Sequence, residues 1–286
     1  DEAKELVRNQ FLENVKLHLR SDVPVAAALS GGIDSSAIVC TMRYLEPDMD
    51  INTYSFIAQN HPANEEKWVN LVNNYVGAIP NKIVLSPGNL IKDLDQMINA
   101  QGEPFGSTSI YAQYKLFEHA KSNGITVSLE GQGADELLGG YDGYPGAKIR
   151  SLLDQGNVLK AYQFIREWSK YPDRSMIIGL KNLISDIMPD QTQSIMRQLN
   201  NMPVAPDWIR ADILRDQGVK IRHPKTKYPM TQKDRRVVAE LINAVTQRGL
   251  IHLLRHSDRN SMAFSIESRV PFLTTDMAEL MFSLPE

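Results

Sequence analysis

One cysteine in 286 residues, Cys40, leaves no partner for an internal disulfide and too few thiolates for a zinc cluster, so a reducing, cytoplasmic location is expected. No apolar run approaches the roughly 20 residues that span a bilayer. The N-terminal DEAKELVRNQ is charged and lacks a signal-peptide core, and no membrane partner is expected. Excess charge of either sign is missing too. Thirty-four acids against 31 bases leave a net charge of −3, too little for a general electrostatic grip on nucleic acid, and no nucleic-acid partner is expected. Internal repeats and low-complexity tracts are absent. What remains is an ordinary globular composition, 42% hydrophobic and 23% charged, which excludes a disordered chain. The length suits one large domain or two modest ones with a substantial core.

The first half alternates short strand-like runs with helical ones. VPVAAAL (23–29), INTYSFIA (51–58), KIVLS (82–86) and ITVSLE (125–130) read as strands. Segments 35–45, 65–76, 89–100 and 109–123 read as helices between them. Strands without a polar face, alternating with helices, predict a parallel sheet covered on both sides. Residues 2–20 carry Leu6, Phe11, Val15 and Leu19 at helical spacing, predicting an N-terminal helix packed on that sheet. Residues 150–257 show helical periodicity, broken near Pro172, Pro189, Pro203, Pro206 and Pro224. The expected organisation is therefore an N-terminal helix (1–20), a nucleotide-binding core (21–145) and a mainly helical part of the same domain (146–286).

The sharpest motif is LSGGIDSS (29–36), between the first strand and its helix. Gly31 and Gly32 let the backbone approach an anion without a Cβ in the way. The amides at the helix start, with the hydroxyls of Ser30, Ser35 and Ser36, can bind phosphate oxygens. Asp34 would repel a phosphate unless a bridging Mg²⁺ resolves the conflict. No GK[ST] follows, so this is not the Walker pattern. A plain strand–turn–helix junction capped by Asp34 and Ser35 stays open. SGGIDSS resembles the pyrophosphate loop of the ATP pyrophosphatase superfamily. That resemblance implies a doubly wound parallel sheet of about five strands, adenine nucleotide alpha hydrolase-like, here with an added α-helical section.

A second motif, LEGQGADELLGGY (129–141), also follows a strand. Asp135 and Glu136 bring negative charge to the C-terminal edge of the sheet, where open α/β sheets bind ligands. Asp34 and Asp135 could together hold Mg²⁺ on a leaving pyrophosphate. Alternatively, Asp135 and Glu136 only charge the first turn of a short helix. In a third motif, LLRHSDRNSMAFSIESRVPFL (253–273), Asp258, Arg259, Glu267 and Arg269 either orient substrate or form ion pairs that hold a helix against the sheet. His252 and His256 lack a metal-site pattern, and Trp68, Trp168 and Trp208 read as packing residues.

The order and spacing of the three motifs resemble the synthetase domain of glutamine-hydrolysing asparagine synthetases, as does EPF (103–105). The resemblance implies that ATP adenylates a small carboxylate, most readily aspartate. Pyrophosphate leaves, and ammonia then displaces AMP to give the amide. By the same resemblance Ser30, Gly31, Gly32, Asp34, Ser35 and Ser36 hold the phosphates. Leu29 and Ala58 line the adenosine, Glu130 and Gly131 meet the nucleotide through their backbone, and Asp34 and Asp135 hold Mg²⁺. Asp34, Asp135, Gln132 and Glu136 form the candidate catalytic set. ATP and Mg²⁺ are the implied cofactors.

Four features depart from the family pattern. Gln132 stands where the family has a carboxylate able to accept a proton from the incoming nitrogen, and an amide cannot titrate. The sequence starts at Asp1 and does not include the family's cysteine-initiated glutaminase, so either it is a fragment of a longer protein or ammonia arrives otherwise, and ammonia is expected from a glutaminase domain or subunit outside this chain. STSIYAQY (107–114) lacks the family's arginine, which would pair with a substrate carboxylate. A lysine-bearing closing segment would lie beyond Glu286, and PFLTTD replaces PFLD. Amidation of a different acid (a sugar or peptide carboxylate) is one alternative, and a non-catalytic nucleotide-binding partner of a separate glutaminase is another. A homodimer is left open.

Overall fold

The computed structural model describes residues 2–59, 61–62, 64–141, 143–172, 174–187, 205, 209–221 and 234–286. The chain divides into two compact units: residues 1–138 with 244–285, and residues 139–243 with 286.

The first unit is built on a five-stranded sheet. Its strands are β1 (Val25–Ala28), β2 (Asn52–Phe56), β3 (Ile79–Ile83), β4 (Val127–Leu129) and β5 (Glu267–Arg269). They run in the order β3-β2-β1-β4-β5, every pair parallel. Helices cover both faces, giving the doubly wound arrangement that the alternating pattern predicts. The side-chain period of two on β1 sorts its residues between two cores. Val25, Ala27 and Leu29 pack with Val15 of α1 (Glu2–His18), Ile38 and Val39 of α2 (Ile33–Leu45) and Val69 of α3 (Glu66–Val76). Met277 of a later helix, Thr275–Ser283, joins the same cluster. Ala26 instead packs with Tyr54 and with Leu116, Phe117 and Ala120 of the helix Thr108–Ser122. Ile38, Leu129 and Phe117 are fully buried, and each such side chain contributes about 1.5–3 kcal/mol relative to exposure. Cys40 lies half-buried against the first cluster, where burial pushes its thiol up.

In chain order the further helices of this unit are α4 (Pro87–Gln101), α5 (Thr108–Ser122) and α6 (Ala134–Leu138). After the second unit the chain returns with α12 (Gly249–Met262), β5 and α13 (Thr275–Ser283). Two strands differ from the sequence pattern. The third sits at 79–83 rather than 82–86, because pairing with β2 decides it and an edge strand needs no apolar run. Pro80 is tolerated at that edge. The fifth strand, Glu-Ser-Arg, comes from the stretch read as mainly helical. Three polar residues carry no strand signal, and pairing with β4 supplies it.

The second unit is helical. α7 (Tyr144–Asp154), α8 (Val158–Trp168) and α9 (Met176–Ile187) surround Ile149, Leu152, Ala161 and Ile165. A short α10 (Ala211–Asp216) follows, and α11 (Arg236–Thr246) begins here. Arg236 joins α11 to α7, its guanidinium 2.5 Å from Asp154 and its backbone amide donating to Ser151 Oγ at 2.8 Å. Pro189, Pro203, Pro206, Pro224 and Trp208 lie outside the described residues. Among the described residues no helix is long and apolar enough to cross a membrane.

Candidate active site

The strand order reverses between β1 and β4: the chain goes from β1 outward through β2 to β3, then places β4 on the other side of β1. At such a switch point the loops leaving the two central strands part and open a crevice at their carboxyl ends. The loop after β1 is Leu29–Gly32, and the loop after β4 is Glu130–Gly133. The two strongest motifs therefore flank one crevice.

The loop after β1 braces itself. The Ser30 amide donates to Ser35 Oγ at 3.2 Å, and the two hydroxyls lie 3.1 Å apart. Gly32 donates its amide to Ser30 Oγ at 3.2 Å, and Ser35 Oγ donates to the Gly32 carbonyl at 3.3 Å. Gly31 has φ +92°, and a Cβ there would lie 3.0 Å from Trp68 Cβ and 3.2 Å from the Glu65 carbonyl oxygen. Glycine is required both for the left-handed backbone and for the start of α3 packed against it. Gly32 caps α2 in an extended conformation and makes no side-chain cap hydrogen bond. The first amides of α2 thus keep the polarity that attracts an anion.

The loop after β4 meets the first one directly. A Cβ on Gly131 would lie 3.1 Å from the Ser35 amide nitrogen and 3.2 Å from Asp34 Cβ. Asp34 is held above the ordinary carboxylate range, first by burial, then by the charges of Asp135 and Glu136. Asp34, in the first turn of α2, thus feels two carboxylates in the first turn of α6, and holding its charge there costs free energy in the ligand-free protein. Glu136 is buried on α6, while Asp34 and Asp135 are half-buried. Among the described residues no three His, Cys, Asp or Glu side chains form a self-sufficient metal cage. Asp34 and Asp135 are the carboxylates here that could hold a hard cation, which takes oxygen ligands.

Below the crevice lies a polar layer that the motifs did not reveal. Glu130 is 3% exposed. Its Oε2 accepts from Gln113 Nε2 at 3.0 Å, Ser257 Oγ at 3.2 Å and Gln132 Nε2 at 3.2 Å. Its Oε1 accepts from Ser268 Oγ at 2.8 Å. All four donors are neutral, and burial raises its carboxyl well above the usual range despite them. Asn260 extends the layer, donating to Gln113 Oε1 at 3.0 Å and accepting from Gln101 Nε2 at 2.6 Å. His256 Nδ1 lies 2.7 Å from Gln101 Oε1. No sequence signal marks Gln113, because its role depends on α5 packing against β2 and α12 and so bringing it to Glu130 and Ser257. Ser257 and Ser268 stood in the third motif, but only the fold turns their hydroxyls toward Glu130.

The other expected residues fall as follows. Leu29 is buried at the end of β1, Ser36 starts the second turn of α2 and Ala58 lies two residues past β2. Arg269 pairs with Glu267 at 2.9 Å and donates to the carbonyls of His18 and Arg20 at 2.6 and 2.8 Å, closing the C-terminal end of α1. Asp258 and Arg259 are exposed on α12 and form no ion pair with each other. Leu273 of the PFL segment occupies the space a Cβ on Gly133 would need, and Gly133 has φ +89°. Phe272 stacks on Phe11 with ring centroids 4.6 Å apart, and Asn14 Nδ2 donates to the Pro271 carbonyl at 3.0 Å. The third motif thus supports the acidic loop from behind.

Comparison with known proteins shows the family. The family model described as asparagine synthase matches residues 6–286. Asparagine synthetase (glutamine-hydrolyzing) 1 of Bacillus subtilis is 24% identical over 303 residues, covering 100% of this chain and 44% of that protein. Asparagine synthetase (glutamine-hydrolyzing) 3 of the same organism is 25% identical over 304 residues, covering 100% and 43%. Amidase chyE of Penicillium rubens is 24% identical over 326 residues, covering 100% and 46%. The chain spans less than half the length of each of these relatives.

Proposed function

The chain belongs to the asparagine synthase family, and from that premise we propose that it is an ATP-dependent amide ligase, forming an acyl-adenylate in the crevice between β1 and β4. One observation carries the reading: Gly131 packs on Asp34 and Ser35, so the glycine–serine loop and the acidic loop share one ligand space. Ser30, Gly31, Gly32, Ser35, Ser36 and the first amides of α2 receive the phosphates. Asp34 and Asp135 would hold Mg²⁺, which supplies positive charge beside the leaving pyrophosphate.

In the first step a carboxylate oxygen attacks the α-phosphorus. The bond from that phosphorus to the bridging oxygen breaks, and pyrophosphate takes the electron pair. In the second step the lone pair of ammonia attacks the acyl carbon. The acyl carbon–oxygen bond breaks, AMP leaves with its electrons, and the nitrogen gives up a proton. The amides of α2 are set in place before reaction, so their stabilisation of developing charge costs no reorganisation.

Aspartate is the proposed acceptor, and ammonia would come from a glutaminase domain or subunit outside this chain, in a cytoplasmic setting. A second reading, amidation of another acid, is favoured by two features: Gln132 in the acidic loop and the start of α5 (Thr108-Ser109-Ile110) without an arginine. The test is to incubate the chain with ATP, Mg²⁺, ammonium chloride and a panel of carboxylates, following AMP and pyrophosphate. Carboxylate-dependent release of both supports the ligase, and the acid that elicits it decides between the two acceptors. No AMP with any acid overturns the proposal.

A further inference from the structure

The two loops of the crevice carry acids and no base. Neither LSGGIDSS (29–36) nor LEGQGADELLGGY (129–141) contains a lysine or arginine, while Asp34, Asp135 and Glu136 all lie within them. A triphosphate that has bound Mg²⁺ still carries net negative charge and attracts a side-chain cation. The structure sets one beside the phosphate loop. The Cβ that Gly31 lacks would lie 3.0 Å from Trp68 Cβ, 3.2 Å from the Glu65 carbonyl oxygen and 3.2 Å from the Val69 amide nitrogen, so the start of α3 packs on the loop. Lys67 stands in that same turn, with Nζ 5.0 Å from the centroid of the Trp68 ring. Trp68 is 49% exposed, so its indole holds the ammonium at the surface rather than filling a core. Glu66, the next acid in the turn, is taken by Lys82, whose Nζ lies 2.7 Å from Glu66 Oε1. Among the described residues Lys67 forms no ion pair, and the indole is the partner it has.

We infer that Lys67 leaves the Trp68 ring to bind the β- and γ-phosphates of ATP, and with them the departing pyrophosphate, so that it discriminates ATP from AMP. This rests on the ligase reading above. The sheet decides which part of the nucleotide Lys67 meets. α2 and α3 pack on one face, where Ile38, Val39, Val69 and Val72 share a core. The first amides of α2, which receive the phosphates in that reading, therefore start on the face that carries Lys67. α5, with Gln113 and its bond to Glu130, lies on the other face. The α-phosphorus has to stay open to the attacking carboxylate, and in-line displacement sends pyrophosphate away on the opposite side. A cation on the α3 side, away from β4 and its polar layer, suits that leaving group. An exposed cation–π contact is weak, whereas an ammonium–phosphate hydrogen bond is charge-assisted, so the exchange of partners is favourable. The flexible stem lets Nζ move while Trp68 Cβ stays packed beside Gly31.

The experiment is calorimetric binding to the full chain of Mg²⁺–pyrophosphate, of Mg²⁺ with α,β-methylene-ATP (which cannot release pyrophosphate), and of AMP. Lys67→Met, which keeps the stem and removes the charge, should weaken the first two about tenfold and AMP by less than about twofold. Lys67→Arg should restore most of the lost binding, because it restores the cation. Lys16→Gln, at a surface lysine of α1 that pairs with Glu13, removes one positive charge elsewhere and should leave binding of all three unchanged. A second measurement reads Lys67 itself. Its acetylation by a lysine-reactive ester, followed by mass spectrometry, should slow in Mg²⁺–pyrophosphate and not in AMP. Equal losses of AMP and pyrophosphate in Lys67→Met, or no loss of either, would overturn the inference. So would a loss in Lys16→Gln as large as that in Lys67→Met, or acetylation of Lys67 that pyrophosphate leaves unchanged. In each of these cases a wild-type chain that binds the ATP analogue keeps the ligase reading. A wild-type chain that binds none of the three probes overturns the ligase reading itself, and this inference with it.

Discussion

The two loops at the switch point solve the same problem in opposite ways. The loop after β1 is held by its own residues: every side-chain bond within Leu29–Ser36 joins positions at most five apart. The loop after β4 is held from a distance. The carboxyl of Glu130 is fixed by Gln113, Ser257 and Ser268, which lie 17, 127 and 138 residues away. Leu273 fills the space behind Gly133. A self-braced turn can present amides to a ligand wherever it is placed. A turn carrying buried and coupled carboxylates needs a scaffold to oppose their repulsion and desolvation.

Adding a methyl group to each loop should break that symmetry most. Gly133→Ala puts an L residue at φ +89° and drives its Cβ into Leu273. Left-handed strain and overpacking together should cost about 2–5 kcal/mol. Gly31→Ala has similar backbone strain, at φ +92°, but milder contacts with Trp68 and the Glu65 carbonyl, and should cost less. Urea denaturation of both variants, compared at constant m-value, measures the difference. Leu273→Ala added to Gly133→Ala should recover part of the loss. No recovery would show that the contact with Leu273 is not what makes Gly133 necessary.

The same contrast explains what was legible in the sequence. The loop after β1 could be read because its causes are local: a strand, two glycines, hydroxyls and a helix start lie together in LSGGIDSS. The acidic loop could be located but not explained, since Gln113, Ser257 and Ser268 reach Glu130 only once α5, α12 and β5 are in place. β5 was hidden for a related reason: Glu267, Ser268 and Arg269 are a strand only because Val127–Leu129 pairs with them. Arg269 could be singled out, yet its tie to the carbonyls of His18 and Arg20 spans about 250 positions and leaves no pattern. Central β1 was found from its apolar run, while edge β3, polar and carrying Pro80, was displaced by three residues.

Removing the charge that joins the two loops tests whether they act as one site. Asp34→Asn should slow pyrophosphate release about a hundredfold, or about 2.7 kcal/mol at the transition state. The folded protein should gain stability, because the repulsion from Asp135 and Glu136 disappears. Thermal melting and a pyrophosphate-release assay on the same preparation check both halves. Reduced activity with a lowered Tm would mean that Asp34 is structural. Ser35→Ala should act less strongly, removing the hydroxyl that links Ser30 and Gly32, with a loss of about 1 kcal/mol. The apparent KM for ATP should rise with it, since the loop loses its internal brace.

The smallest effect should separate the loops by pH. Burial raises the Glu130 carboxyl, so the native state binds its proton more readily than the unfolded chain does. Stability from this group is greatest below the unfolded value, about 4.3, and declines as pH rises through the raised native value. Asp34 acts in the same direction but is partly open to solvent. Asp93 and Glu267, lowered by hydrogen bonds from Tyr111 and Arg269, act oppositely and fade as pH falls. Glu130→Gln removes one buried titrating group while keeping most of its hydrogen bonds. Its urea midpoint, measured against wild type from pH 4 to pH 8 (a range chosen to bracket about 4.3), should therefore improve steadily with pH. Asp34→Asn should show a shallower version of the same trend. A flat difference for Glu130→Gln would mean that its carboxyl titrates alike in the folded and unfolded chain. The polar layer below β4 would then be as open to water as the serine loop beside it.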